Sequence, residues 1–323
     1  QTCALPIFNE NCDLVFSMRK TNFIIILSLL ILYGEEKSPI SKHDAKDQST
    51  SMVEVKIDNL FFDCRVAGMS NKGEGVILLH GFPETSHMWG ELMTSLSSKG
   101  FRVVAPDQRG YSPGARPKKV SDYKFEYLVD DVFSVAESFG FKQFHLVGHD
   151  WGAIIGWGMV AAKPDRVLSW TAMSVPHPNA FGDALNTDED QKKKSRYFRF
   201  FKLPFIPEFY FSFNNYKNLK NIWNKSTAEE IDAYLQVFKG KGALKASLNW
   251  YRANIGSKSI NESLIVLGDI NTPSQLIWGN KDMALGRRGT ELTEKFMKGP
   301  YHFIEIDAGH WLIQETYVDV STS

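Results

Sequence analysis

The segment Phe144–Trp157 (FHLVGHDWGAIIGW) constrains the fold more than any other stretch of this chain. A short apolar run leads into Gly148-His149-Asp150-Trp151-Gly152, and an apolar run with helical spacing leads out. Glycines on both sides permit a sharp turn that a Cβ would obstruct. Strand, tight turn and helix in that order lift the central side chain into the open, the pattern of a nucleophile elbow. Many enzymes carry serine at the centre of this turn; here it is the carboxylate of Asp150. A carboxylate has an ordinary pKa of about 3.9, so it is ionised at neutral pH and needs no base to activate it. It can attack a saturated carbon and leave an alkyl ester on the protein. That chemistry suits epoxides or alkyl halides better than peptides or esters.

From Met52 onward, strand-like and helix-like segments alternate. Strands are expected at Gly75–His80, Phe101–Pro106, Phe144–Val147, Val167–Val175, Ser274–Trp278 and Phe303–Ile306. Helices are expected at Met88–Lys99, Tyr127–Phe139, Trp151–Ala162 and Arg288–Met297. Short apolar strands alternating with helices imply an α/β fold, a mostly parallel, doubly wound sheet covered on both faces. The rhythm breaks between Pro178 and about Lys258, a stretch rich in aromatics and lysine with no strand pattern. The organisation expected is therefore a core of residues 51–178 and 259–323, with an inserted helical cap over 179–258.

Length and charge add bounds. The 323 residues suffice for one large domain or two, with ample core. Net charge is zero, which gives no overall footprint for nucleic acid or an anionic membrane. Of three cysteines, Cys3 and Cys12 lie near the N-terminus, so Cys64 stands alone and no disulfide framework is expected. Met18-Arg19-Lys20, the apolar run Phe23–Tyr33 and Gly34 match a secretory signal peptide. A retained membrane anchor is the alternative, although spanning a bilayer takes about 20 apolar residues. Residues 1–17 precede Met18 and begin QTCALPI, which resembles a translated sequencing adapter, so residues 1–34 read as a non-native leader plus signal peptide. Residues 35–50 are polar, charged and without periodicity, and read as linker. The chain is thus expected to be secreted or periplasmic.

In a parallel sheet, sites form at the carboxyl ends of strands. His80-Gly81-Phe82-Pro83, Asp107, Asp150, Asp282 and His310 each follow a strand candidate. An alkyl ester on Asp150 must be hydrolysed, which requires a base to activate water and a partner to fix the base. His310, in Asp307-Ala308-Gly309-His310-Trp311, has the right pKa range for the base. Asp282 can hold the imidazole tautomer and stabilise its charged form. The order nucleophile, acid, histidine is that of the α/β-hydrolase arrangement. Taken singly, each residue has a duller reading as a turn, a cap or a satisfied core group; the joint occurrence carries the assignment. Two backbone N–H groups should face the developing oxyanion, from Trp151 just after the nucleophile and from Phe82 in the Gly81-Phe82-Pro83 turn.

Together, His80-Gly81-Phe82-Pro83, Asp107-Gln108-Arg109-Gly110, Gly148-His149-Asp150-Trp151-Gly152 and the Asp282/His310 pair resemble the epoxide hydrolases of the α/β-hydrolase superfamily. The similarity runs from about Gly75 to Trp311. It implies opening of an epoxide by the aspartate, an ester intermediate, and release of a vicinal diol by water. It also implies two cap tyrosines that hydrogen-bond the epoxide oxygen. Tyr251, in Asn249-Trp250-Tyr251-Arg252, and Tyr197, in Ser195-Arg196-Tyr197-Phe198, match that pattern, with Tyr210, Tyr216 and Tyr234 competing. The substrate pocket is expected to involve Phe82, Pro83, Trp151 and Trp311.

The rival is a haloalkane dehalogenase, which uses the same triad. Trp151 fits its halide site, but Phe82 stands where that family needs a side-chain donor. A non-catalytic binding protein on the same fold is a remoter alternative. No metal-ligand spacing or dinucleotide fingerprint appears, so no cofactor and no metal are expected. Partners are a small lipophilic epoxide and water, without nucleic acid or a stable membrane span, and a homodimer stays open. Phe198, Phe200, Phe201, Phe205, Phe209 and Phe211 suggest an apolar pocket wall. Asn224-Lys225-Ser226 and Asn261-Glu262-Ser263 are glycosylation sequons if the host is eukaryotic. Finally, Glu315–Ser323 (ETYVDVSTS) reads as too short and too β-branched for the last helix of the family, which predicts a marginally stable scaffold.

Overall fold

The computed structural model describes residues 50–256 and 265–323. Among the described residues eight strands follow one another: β1 (Ser51–Ile57), β2 (Leu60–Ala67), β3 (Gly75–Leu79), β4 (Arg102–Pro106), β5 (Phe144–His149), β6 (Val167–Met173), β7 (Ser274–Gly279) and β8 (Tyr301–Ile306). They form one sheet in the order β1-β2-β4-β3-β5-β6-β7-β8. The β1–β2 and β2–β4 pairs are antiparallel. All other pairs are parallel. This is the mostly parallel, doubly wound sheet expected from the alternation.

The central strands β3 and β5 are buried at every position, as their unbroken apolar runs require. Crossover helices α1 (Gly90–Ser98), α2 (Phe125–Ser138) and α3 (Trp151–Ala162) link β3, β4, β5 and β6. Among the described residues between β6 and β7 there are helices and no strand. They are α4 (Pro178–Thr187), α5 (Glu189–Lys194), α6 (Tyr197–Phe201), α7 (Ile206–Ile222), α8 (Ala228–Phe238) and α9 (Ala243–Asn254). Helix α8 starts on a reciprocal cap, with Glu230 N–H donating to Thr227 Oγ1 at 3.2 Å and Thr227 N–H to Glu230 Oε2 at 2.7 Å. Helices α10 (Arg287–Leu292) and α11 (Leu312–Thr322) complete the chain order. The order of β4, β3 and β5 reverses direction at β3, so the crevice beyond the ends of β3 and β5 is a switch point where such sheets bind ligands.

Two features depart from the sequence reading. No strand is expected before Gly75, yet β1 and β2 form a hairpin that closes on the two-residue turn Asp58-Asn59, with Asp58 at φ 51°. The final helix does form. Helix α11 breaks at Thr316 (φ −156°, ψ 59°) but buries Leu312, Ile313 and Val320. The Glu315 carboxylate also accepts the N–H groups of Gly309 at 2.8 Å and Trp311 at 3.3 Å. Burial of a large apolar side chain contributes about 1.5–3 kcal/mol. That exceeds the propensity penalty of a β-branched residue, under about 0.7 kcal/mol each. The leader of residues 1–34, including Phe23–Tyr33, lies outside the described residues, as do most of the linker and Asn261-Glu262-Ser263.

Candidate active site

The elbow is built from close backbone approaches. A Cβ on Gly148 would stand 2.4 Å from the Gly152 carbonyl oxygen, and one on Gly152 would stand 2.1 Å from that of Leu79. Both positions therefore require glycine. Asp150 itself sits at φ 53°, ψ −121°, a left-handed conformation that L side chains rarely adopt. The surrounding strand and helix hold it there, and such strain is concentrated at functional sites. The turn after β3 is fitted to this side chain: a Cβ on Gly81 would fall 2.3 Å from Asp150 Oδ1.

Asp150 is buried, 7 % exposed. Its Oδ1 accepts the Phe82 N–H at 2.8 Å, and its Oδ2 lies 3.5 Å from His310 Nε2. On the far side of the imidazole, His310 Nδ1 is 2.8 Å from Asp282 Oδ2. The other oxygen of Asp282 accepts the N–H groups of Ala284 and Leu285 at 2.7 and 2.9 Å. One imidazole thus bridges two carboxylates, all three arriving from the ends of β5, β7 and β8. The Trp151 N–H opens α3, where a helix leaves its N–H groups without an intrahelical acceptor.

Electrostatics follow from that geometry. Burial opposes the charged form of His310, but Asp282 and Asp150 outweigh it and hold the imidazole well above its usual range. Burial also opposes ionisation of Asp150; His310, together with the Phe82 N–H, overcomes this and brings its carboxyl below the usual value. Both members therefore favour their charged forms.

A cavity opens on Asp150 and Trp151. Its other walls include Ile154, Val175, Phe181 and Leu285, with Tyr197, Phe198 and Tyr251 from α6 and α9. Tyr197 and Tyr251 are buried enough, and close enough to the Asp150 charge, for their phenols to be pushed well above the ordinary value. They keep their protons at neutral pH. The Trp151 ring packs edge-on against the Tyr251 ring, with centroids 5.1 Å apart. Three other tyrosines were candidates, and none of them lines this cavity. Tyr210 is exposed, Tyr216 reaches the Phe238 carbonyl at 3.4 Å, and Tyr234 is engaged by Gln314 at 3.4 Å.

The pocket positions need correction. Trp151 lines the cavity, but Phe82, Pro83 and Trp311 do not. The Phe82 ring is packed behind the wall against Phe201, Phe211, Phe238 and Tyr251. The Pro83 carbonyl accepts the Trp223 indole N–H at 3.1 Å. Trp311 lies against the His310 and His149 rings. Of the phenylalanines expected in the wall, Phe198 lines the cavity and Phe201 and Phe211 are buried behind it, whereas Phe205 and Phe209 face solvent. Asp107 also sits away from the cavity, accepting the Ser86 N–H at 2.7 Å and tying the loop after β3 to β4.

Sequence reasoning missed a buried polar chain behind the imidazole. His149 Nε2 donates to the His310 carbonyl at 2.8 Å, and Ser174 Oγ donates to the same carbonyl at 3.0 Å. His149 Nδ1 is 3.1 Å from Glu84 Oε2, and Glu84 Oε1 accepts from Gln314 at 2.8 Å. A glutamate and a histidine inside otherwise apolar runs, each next to a glycine turn, were the available signal.

Comparison with known proteins agrees with this architecture. The family described as the alpha/beta hydrolase fold matches residues 75–316. Epoxide hydrolase 4 of Homo sapiens is 32% identical over 294 residues, covering 87% of this chain and 79% of that protein. AB hydrolase superfamily protein YfhM of Bacillus subtilis is 32% identical over 253 residues, covering 75% of this chain and 86% of that protein. Among solved structures, a mutant of an epoxide hydrolase from Bacillus megaterium superposes with a TM-score of 0.76 at 27% identity, covering 83% of this chain and 96% of that one.

Proposed function

The chain belongs to the α/β-hydrolase family, among its epoxide hydrolases, and from that premise we propose how its own residues open an epoxide to a vicinal diol. The helical insertion of α4–α9 serves as the cap that closes the cavity. Epoxide enters with its oxygen towards Tyr197 and Tyr251 and one ring carbon towards Asp150. Asp150 attacks that carbon from the face opposite the C–O bond. The C–O bond breaks, its electron pair stays on the oxygen, and a phenol proton neutralises the alkoxide as it forms. The product of this step is an ester between Asp150 and the substrate.

Ester formation removes one of the two negative charges beside His310. The imidazole then loses part of what holds its proton, releases that proton through water to the phenolate left by ring opening, and so becomes a competent base. It takes a proton from water, and the hydroxide adds to the ester carbonyl of Asp150. Negative charge develops on the carbonyl oxygen, where the Phe82 N–H already reaches Asp150 at 2.8 Å and the Trp151 N–H adds a second donor. Collapse of the tetrahedral species frees the diol and restores the carboxylate. Asp282 keeps the imidazole oriented throughout.

One observation carries this assignment: a single apolar cavity holds an ionised carboxylate and two protonated phenols. Phenols suit a leaving oxygen that remains on the substrate and needs a proton. A halide needs no proton, and Phe82 offers no side-chain donor beside Trp151 to hold one. The test compares diol formation from styrene oxide with halide release from bromoalkanes, in wild type and Asp150→Ala. Diol formation that Asp150→Ala abolishes is expected. Halide release at a comparable rate would favour dehalogenation, and equal diol formation by the variant would remove Asp150 from the chemistry.

A further inference from the structure

The most exposed phenylalanines fall together between residues 203 and 213. Phe205 is 76%, Phe209 69%, Phe213 56% and Ile206 53% exposed, with Leu203 and Tyr210 beside them. Phe209 lies in the helical part of α7, while Phe205 (φ 64°) caps its start and Phe213 (φ −59°, ψ 143°) ends it. The Phe209 and Phe213 rings meet at 5.7 Å. Beyond Phe213 the helix is interrupted by Asn214, Asn215 and Tyr216 at positive φ, so the apolar face ends there. A patch of this kind on a folded surface marks an interaction site.

Its rim is basic. Arg196, Arg199, Lys202 and Lys217 flank the patch in sequence, against the single acid Glu208, and the Asn218 amide donates to the Tyr210 carbonyl at 2.9 Å, which holds the Lys217 turn beside it. That carboxylate is taken up by Arg252, through bonds of 2.8 and 2.9 Å. Arg196, Arg199 and Lys217 are exposed. In a chain of zero net charge the concentration is local. Aromatic and aliphatic side chains ringed by lysine and arginine fit the headgroup boundary of an anionic bilayer. The patch also adjoins the cavity. Lys202 donates to the Gly256 carbonyl, next to the wall residue Ile255, and Arg252 Nη2 donates to the Leu203 carbonyl at 2.7 Å. Among the described residues no helix is long and apolar enough to cross a membrane.

We propose that this outward face of α6 and α7 is a membrane-surface docking site, seating Phe205, Ile206, Phe209 and Phe213 in an anionic lipid interface with the basic rim on the headgroups. Lipophilic substrate dissolved in the bilayer would then reach the cap directly, a consequence that depends on the epoxide reading, whereas the docking itself does not.

The test places an environment-sensitive fluorophore at Phe209→Cys in the full chain, with Cys3→Ser and Cys12→Ser; the third cysteine, Cys64, is buried. Vesicles of phosphatidylcholine with one quarter phosphatidylserine should shift its emission to the blue, and pure phosphatidylcholine should do so at least about 10-fold less well. Adding Arg199→Glu and Lys217→Glu should abolish the shift and leave diol formation from soluble styrene oxide unchanged. No shift with anionic vesicles overturns the proposal. So does a shift that survives the charge reversal, or one that needs no vesicles and grows with protein concentration, which would identify a second copy of the chain as the occupant.

Discussion

Replacing Gly81 by alanine adds one methyl group at the point where the turn after β3 meets the nucleophile. The new Cβ would lie 2.3 Å from Asp150 Oδ1, 2.4 Å from its Cβ and 2.7 Å from its Cγ. Ordinary contact begins near 3.4 Å, so turn and carboxylate must part by about 1 Å. Asp150 cannot retreat easily, because its backbone is pinned at φ 53° between two obligatory glycines. The separation therefore stretches the Phe82 N–H bond to Oδ1 and turns the carboxylate off its line of attack. A misplacement of about 1 Å at a reacting centre lowers rates by roughly 100-fold, and overpacking lowers stability by about 1–3 kcal/mol. Rapid-quench measurement of ester formation, together with urea unfolding, separates the two effects. Gly90→Ala is the control, since a Cβ there meets nothing within 4 Å; it should keep full activity and stability. A Gly81→Ala protein that forms ester at the wild-type rate would refute the claim that this turn is fitted to a reactive Asp150.

Tyr197→Phe and Tyr251→Phe should each slow ring opening by about 100-fold with little effect on hydrolysis of a preformed ester. The double variant should lose more than either, as burst kinetics on styrene oxide would show. A different signature is expected in stability. The pKa of His310 is raised in the fold above its ordinary 6.5. Its stabilising contribution is therefore complete below pH 6.5 and lost as pH rises through the folded value. Urea unfolding across pH should show this decline in wild type and lack it in His310→Gln; parallel curves would contradict the paired imidazole. The pKa of Asp150 is lowered from 3.8, so its contribution is present above that pH and disappears as pH falls through the folded value.

Much of the site was legible because its constraints are local. Gly148, Asp150 and Gly152 announce a turn whose shape allows few alternatives, and Asp282 and His310 fall at strand ends that apolar runs reveal. Tyr197 and Tyr251 could be told from Tyr210, Tyr216 and Tyr234 only by resemblance, since all five share the same amphipathic chemistry. The cap phenylalanines could not be sorted inward from outward. The positive-φ residues Asn214, Asn215 and Tyr216 interrupt α7, and a bent helix does not keep one period along its length. The Glu84–His149 chain was hidden for another reason: its members are 65 residues apart in sequence and meet only across the ends of neighbouring strands. Helix α11 was misjudged because propensity was weighed without the burial of Leu312 and Ile313 or the Glu315 cap.

The most direct measurement is a single turnover in heavy-oxygen water, with enzyme in excess over styrene oxide. If Asp150 forms the bond to carbon, the first diol carries ordinary oxygen taken from the carboxylate, and the heavy isotope appears in the peptide containing Asp150. If His310 instead directs water straight onto the epoxide, the first diol is labelled and Asp150 is not.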